Sequence, residues 1–208
     1  LMSVGLRLFA QKGYTATSVR EIVQTADATN PMLYYYFNSK EGLYRKLVES
    51  LFESIRVQVL DALDGASTFR EKIYAVAWTQ LEAAQKSPVA LQFIYGVLFG
   101  PPESRPEIDI YELHVELIGT LTCVMENAID DGQIEPRPGV DALFLTQQLL
   151  GMINNHMTRA LTLIQSLDDP ELESRYLDEI LSPEECRRLV EFFLAGANHT
   201  SNQRTEVT

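Results

Sequence analysis

Residues 17 to 40 read Thr-Ser-Val-Arg-Glu-Ile-Val-Gln-Thr-Ala-Asp-Ala-Thr-Asn-Pro-Met-Leu-Tyr-Tyr-Tyr-Phe-Asn-Ser-Lys, two short capped helices around a tight turn, the second of them densely aromatic. Ser18 and Glu21 have the S-x-x-E spacing of a capping box, in which each side chain serves an orphan N–H of the first turn. Ile22, Val23 and Ala26 follow as an apolar face. Asp27 and Ala28 interrupt the helix. Thr29 is placed to cap a second one, and Pro31 is tolerated in its first turn, where the missing N–H breaks no intrahelical bond. From there Leu33 and Phe37 fall four apart on one face, and Asn30, Met32, Tyr34 and Tyr35 lie largely on the other. One face packs and the other is offered outward, the signature of a helix-turn-helix.

The outward face has the chemistry of a major-groove reader. Asn pairs bidentately with adenine, Met and Pro touch a thymine methyl, and Tyr hydroxyls bond phosphate. Arg20 and Lys40 add phosphate neutralisation. An aromatic run on a helix is more often core than surface, so the combination carries the reading.

The stretch from Leu8 to Leu43, with LFAQKGYTATSVREI followed by ATNPMLYYYFNSKEGL, resembles the tetracycline-repressor (TetR) family of bacterial transcriptional regulators. The resemblance rests on Phe9, Gly13 and Tyr14 at a helix end, the Thr17–Ser18 cap, the Leu33 to Phe37 helix and Lys40. It implies DNA contacts at Thr17, Ser18, Arg20, Thr29, Asn30, Pro31, Met32, Tyr34, Tyr35 and Lys40. Two departures stand out. Asp27 occupies a turn position where the family usually has Gly, and must adopt a left-handed conformation at some cost. The chain also opens only about two turns before Phe9, so a preceding segment of the first helix, and any basic arm, is expected to be missing.

The formal charge of -12 first argues against a nucleic-acid partner. Its distribution removes the conflict: residues 1 to 50 carry six Lys/Arg against four Asp/Glu, a balance of +2, which leaves -14 on the other 158. A mildly basic head on an acidic body presents the head to DNA and keeps the body away.

Beyond Lys40 every long segment has helical period, and no strand-period segment of any length occurs, so the expected fold is all-α. Leu43, Leu47, Leu51, Ile55, Val59 and Leu63 form an i, i+4 stripe ending at Asp64 and Gly65, a long connecting helix. A Thr68–Glu71 capping box opens the next helix, Ser87 and Pro88 another, and Gly100 to Pro106 is the clearest loop. A further helix closes at Gly132. The segment from Val140 to Ile164 is apolar nearly all round and must be covered on two sides. With the helix that begins at Ser182 and Pro183, it is the expected seam of a homodimer. The resemblance implies a four-helix dimer interface there, with Leu149, His156, Leu189 and Phe193 as candidates. The division expected is a three-helix head at 1–45, a helical effector-binding and dimerisation domain at 46–199, and a flexible polar tail at 200–208.

A regulator also needs a sensor. Large aromatics with a few polar groups suit a small-molecule pocket, and Trp78, Phe93, Tyr95, Phe99, Tyr111, His114, Asn154 and Asn155 are the candidates for a hydrophobic effector. Cys123 and Cys186 are too few and too distant for a metal cluster or disulfide framework and read as core thiols. The three His stand in separate segments, with no H-E-x-x-H, no Gly-rich phosphate loop and no G-x-S-x-G, so neither an enzyme nor a metal or other cofactor is expected. No run of 18 apolar residues and no signal peptide appear, which predicts a cytoplasmic protein with no membrane partner. The expected function is a DNA-binding regulator, a repressor released from a pseudo-palindromic double-stranded operator by a small molecule. The rival is a helical dimer acting through protein contacts alone.

Overall fold

A computed structural model describes residues 1–167 and 169–198; the polar tail expected at 200–208 lies outside the described residues. Within them the chain is all-α, with ten helices and one short 3-10 turn: α1 (Met2–Ala16), α2 (Val19–Thr25), α3 (Asn30–Phe37), α4 (Lys40–Asp64), α5 (Phe69–Lys86), α6 (Pro88–Phe99), the turn at Pro102–Ser104, α7 (Ile110–Asp130), α8 (Ala142–Ser166), α9 (Pro170–Ile180) and α10 (Pro183–Ala197). None of these helices is long and apolar enough to cross a membrane.

Most of the starts follow from side-chain caps. Ser39 accepts from the N–H of Gly42, Thr68 and Glu71 close the full reciprocal box, and Asp109, Asp141 and Ser182 each accept from an N–H in the first turn. The box at Ser18 is only half made: its hydroxyl accepts from the Glu21 N–H, but the Glu21 carboxylate turns instead to Lys12. Thr29 precedes α3 without any side-chain cap bond. Gly42 is required by space, because a Cβ there would stand 1.9 Å from the Phe37 carbonyl oxygen where α3 and α4 meet. Asp27 does take the left-handed conformation, at φ 48°.

Helix α9 escaped the sequence reading. It is only 11 residues and polar overall, and its start signal, Asp169 accepting from two N–H groups just before Pro170, is the feature that marks it. Its Leu177 and Ile180 are buried in the body. The thiols divide as well: Cys186 is buried, and burial pushes it up to about 12, but Cys123 is exposed instead of lying in the core.

Two apolar cores result. The larger, in the body, draws on α4 from Val59 onward, α5, Leu91 of α6, and α7 to α10. The smaller gathers Leu8, Phe9, Ile22, Val23, Leu33, Leu43, Tyr44, Leu47, Val48 and Phe52 from α1 to α4, and it is completed by Phe93 and Val97 of α6. The Phe93 ring lies 5.2 Å from Tyr44 and 6.4 Å from Phe9, centroid to centroid. The head is thus closed by a helix from the body, and α4 runs unbroken through both cores.

That junction predicts a large effect at one position. Phe93→Ala should cost about 3–5 kcal/mol, as expected for emptying a filled aromatic site, and should lower the melting of the head together with that of the body. Urea denaturation followed by circular dichroism measures the loss.

Candidate functional site

The head offers one continuous outward face. Leu33 is fully buried and anchors α3, so its neighbours on the opposite side stand in solvent: Asn30 and Pro31 are exposed, Met32 is 45% and Tyr35 81% exposed, and Tyr34 is exposed too. Tyr36, which was not among the expected contacts, is equally exposed and meets Tyr35 edge-on at 5.0 Å. Ser18, Arg20 and Thr29 are exposed beside it.

Two expected contacts are placed differently. Thr17 is only 1% exposed; its hydroxyl donates to the Gly13 and Leu8 carbonyls at 2.8 and 3.3 Å and its N–H to the Tyr14 carbonyl. It holds the last turn of α1, which kinks at Gly13 with φ 76°, and has no surface to give. Lys40 reaches back instead of outward. Its ammonium donates to the Tyr14 and Thr17 carbonyls, both at 2.9 Å, and sits 4.0 Å above the Tyr14 ring. Partial burial there lowers its pKa. It adds a charged donor to the carbonyl end of α1, where the Tyr14 carbonyl also accepts from the Thr17 N–H.

The body holds a cavity of about 390 Å³ between α4, α5, α6, α7 and α8. Of the expected effector contacts, Tyr95, His114 and Asn154 line it. The Tyr95 hydroxyl donates to the Asn154 side-chain oxygen at 2.9 Å, and burial pushes it up to about 12. His114 bonds through Nδ1 to the Ile110 carbonyl at 2.9 Å and packs edge-on against Phe52. When the ring is neutral, this makes Nδ1 the donor and leaves Nε2 as acceptor.

The other five expected contacts do not line the cavity. Phe93 belongs to the head core, Trp78 packs against the body core, Phe99 and Tyr111 are 69% and 75% exposed, and Asn155 faces solvent. The residues missed are mostly aliphatic or small, among them Leu6, Ile55, Thr79, Ala83, Ile94 and Ile118. Aromatic size was the wrong signal, because a void forms where side chains stop short.

The expected dimer residues are also relocated. Leu149, Leu189 and Phe193 are buried in the protomer's own core. His156 connects α8 to α10 within the chain, its Nδ1 3.1 Å from the Met152 carbonyl and its Nε2 3.8 Å from Glu185. The exposed large apolar side chains of these helices are Leu143 and Phe144 on α8 and Phe192, 76% exposed, on α10.

Known proteins resemble the chain in the sequence of its head and in fold. Residues 1–47 match the family model described as "Bacterial regulatory proteins, tetR family". The HTH-type transcriptional regulator BetI of Rhizobium meliloti is 31% identical over 88 residues, 42% of this chain and 43% of that protein. The HTH-type transcriptional repressor KstR2 of Rhodococcus jostii is 27% identical over 148 residues, covering 69% and 71%. The chain therefore matches less than half of BetI's length and about seven-tenths of KstR2's. In fold, the regulator FadR of Bacillus subtilis, solved with stearoyl-CoA, superposes with a TM-score of 0.72 over 94% of this chain and 96% of that one, at 16% identity.

Two outcomes follow from the geometry. Lys40→Ala should lower the stability of the DNA-free protein by about 1–3 kcal/mol, because two partly buried carbonyls lose a charged donor, whereas Tyr35→Ala should leave it unchanged; thermal melts compare them. Burial also pushes Tyr44 up to about 12, with Tyr95, from an ordinary 10.0. Both folded values are raised, so stability should hold below pH 10, where the unfolded chain also keeps its protons, and fall as pH rises through about 12. Tyr44→Phe should flatten part of that alkaline decline in denaturant titrations repeated between pH 8 and 12.

Proposed function

We propose that the chain, whose residues 1–47 match the tetR family model, is a DNA-binding repressor that sits on a pseudo-palindromic operator as a homodimer and is released by a small hydrophobic effector. The observation that carries the first part is the exposed face of α3, with Asn30, Met32, Tyr34 and Tyr35 turned outward from a fully buried Leu33. A polar-aromatic face on a firmly anchored short helix suits base edges and phosphates together. In this reading the domains divide at about residue 45, the second extending to residue 199, and the protein works in the cytoplasm, where its DNA is.

Thr17 and Lys40 then act indirectly, by fixing α1 against α2 and α4, and Ser18, Arg20, Thr29 and Pro31 flank the reading face. A dimer brings two such faces to successive major grooves, roughly 34 to 36 Å apart. Its seam is formed by the outward faces of α8 and α10, where Leu143, Phe144 and Phe192 lie open to a partner, rather than by the residues committed to the protomer core.

The cavity supports the effector half of the reading. Its walls are largely aliphatic, and Tyr95, Asn154 and His114 stand among the polar groups available to orient a guest, with Arg56 and Lys86 as the cations of the lining. FadR, of similar fold, binds stearoyl-CoA in its solved complex, which favours an effector with a long apolar body. Release by a hundredfold requires about 2.7 kcal/mol of differential binding between the two head positions.

Gel shifts with DNA from upstream of the protein's own reading frame test the proposal. Tyr34→Phe should weaken binding to all sequences alike, and Asn30→Ala should alter preference between matched and scrambled operators, each measured at several salt concentrations. Phe192→Glu should yield a monomer by light scattering that keeps its helicity and loses operator binding. A wild-type protein that binds no upstream DNA would overturn the assignment.

A further inference from the structure

The cavity is not walled by the body alone. Leu6, on the first helix of the head, lines it, and the same side chain packs against the head core. Helix α6 is shared in the same way. Leu91, Ile94, Tyr95 and Leu98 line the cavity at the i, i+3, i+4, i+7 spacing of one helical face. Phe93 and Val97, on the neighbouring face, complete the head core. A helix of 12 residues therefore presents one strip to the void and the next strip to the head. The loop after α6 is tied to the head as well: the Thr15 hydroxyl donates to the Ser104 carbonyl at 2.8 Å, and the Arg105 guanidinium lies near enough to Tyr44 to pull its pKa down against burial.

We infer that Leu6 is an effector-contacting residue, so that the head touches the bound molecule itself and senses occupancy at the α1–α6 seam as well as through α4. The inference rests on the reading of the cavity as the effector site. Its physical content is differential contact. A guest that touches Leu6 gains apolar contact when α1 lies against α6 and loses it when α1 withdraws, so it binds the two head positions unequally. Ile118, on α7, forms part of the wall that belongs to the body. A guest contacts that residue equally in both positions, and it has no leverage on the head.

The test uses the full chain and N-phenyl-1-naphthylamine, an apolar dye whose emission rises on entering a dry cavity, with two readouts. Emission gives affinity, and hydrogen exchange of residues 2 to 12 reports the head without any DNA. Saturating dye should slow exchange in α1. Leu6→Ala should weaken the dye by about fourfold to tenfold, as expected for removing a few buried carbons, and should abolish the slowing in α1 even at saturation. Ile118→Ala should weaken the dye by a similar factor and leave the slowing intact. Leu6→Val, a smaller truncation, should move both readouts part of the way and covers the case in which alanine unfolds the head. Slowing confined to α4 through α8, or Leu6 variants indistinguishable from wild type in both readouts, would overturn the inference and leave the cavity standing. No dye binding at all would overturn the inference and the effector site together. A failure to bind operator DNA bears on the repressor assignment alone.

Discussion

The packing of Phe93 against Phe9 and Tyr44 is the constraint on which the rest of the molecule depends. Phe9 and Tyr14 stack at 5.9 Å, and Tyr44 meets both edge-on at 5.1 Å. Offset and edge-to-face arrangements of this kind add to what burial alone supplies. A head of three short helices has little interior of its own, and small domains bury too little surface to be secure. Borrowing Phe93 and Val97 from α6 enlarges that interior and fixes the angle at which the head leaves the body. The position of α3, and hence of its outward face, follows from that angle.

The same economy explains why Thr17 and Lys40 point inward. A short helix that ends at a kink leaves carbonyls without partners, and buried carbonyls need donors. Lys40 supplies two bonds from the start of α4, and the single Thr17 hydroxyl hydrogen is directed at the Gly13 carbonyl with the Leu8 carbonyl within reach.

Much of this was legible in the residues. Capping residues, the Pro in the first turn of α3, α6 and α10 and the i, i+4 stripe from Leu43 to Leu63 placed nearly every element, and the outward face of α3 followed from Leu33 and Phe37 falling four apart on the other. What periodicity lacks is a partner: Leu149, Leu189 and Phe193 read as apolar faces, but which neighbour covers a face is decided by tertiary packing, and their own protomer covers these three. The cavity was hidden for a related reason. Its walls are made by where Ala83, Thr79 and Ile118 end, and an aromatic such as Phe93 fills space rather than leaving it. Polar groups were the better guide, since Tyr95, His114 and Asn154, each with a hydrogen-bonding duty, are the expected contacts that the void does reach.

Helix α4 has a consequence for how regulators of this shape can be recombined. Its first half, through Phe52, belongs to one core and its second half, from Val59, to the other, with no flexible joint between. Exchange of the first 45 residues for those of a relative would keep the chain continuous and yet set a foreign α1 against Phe93 and Val97. A transplanted reading head would therefore inherit its docking angle from the recipient's α6. The portable unit is the head together with the facing strip of that helix, two segments separated by about 40 residues of sequence that a single crossover cannot carry together.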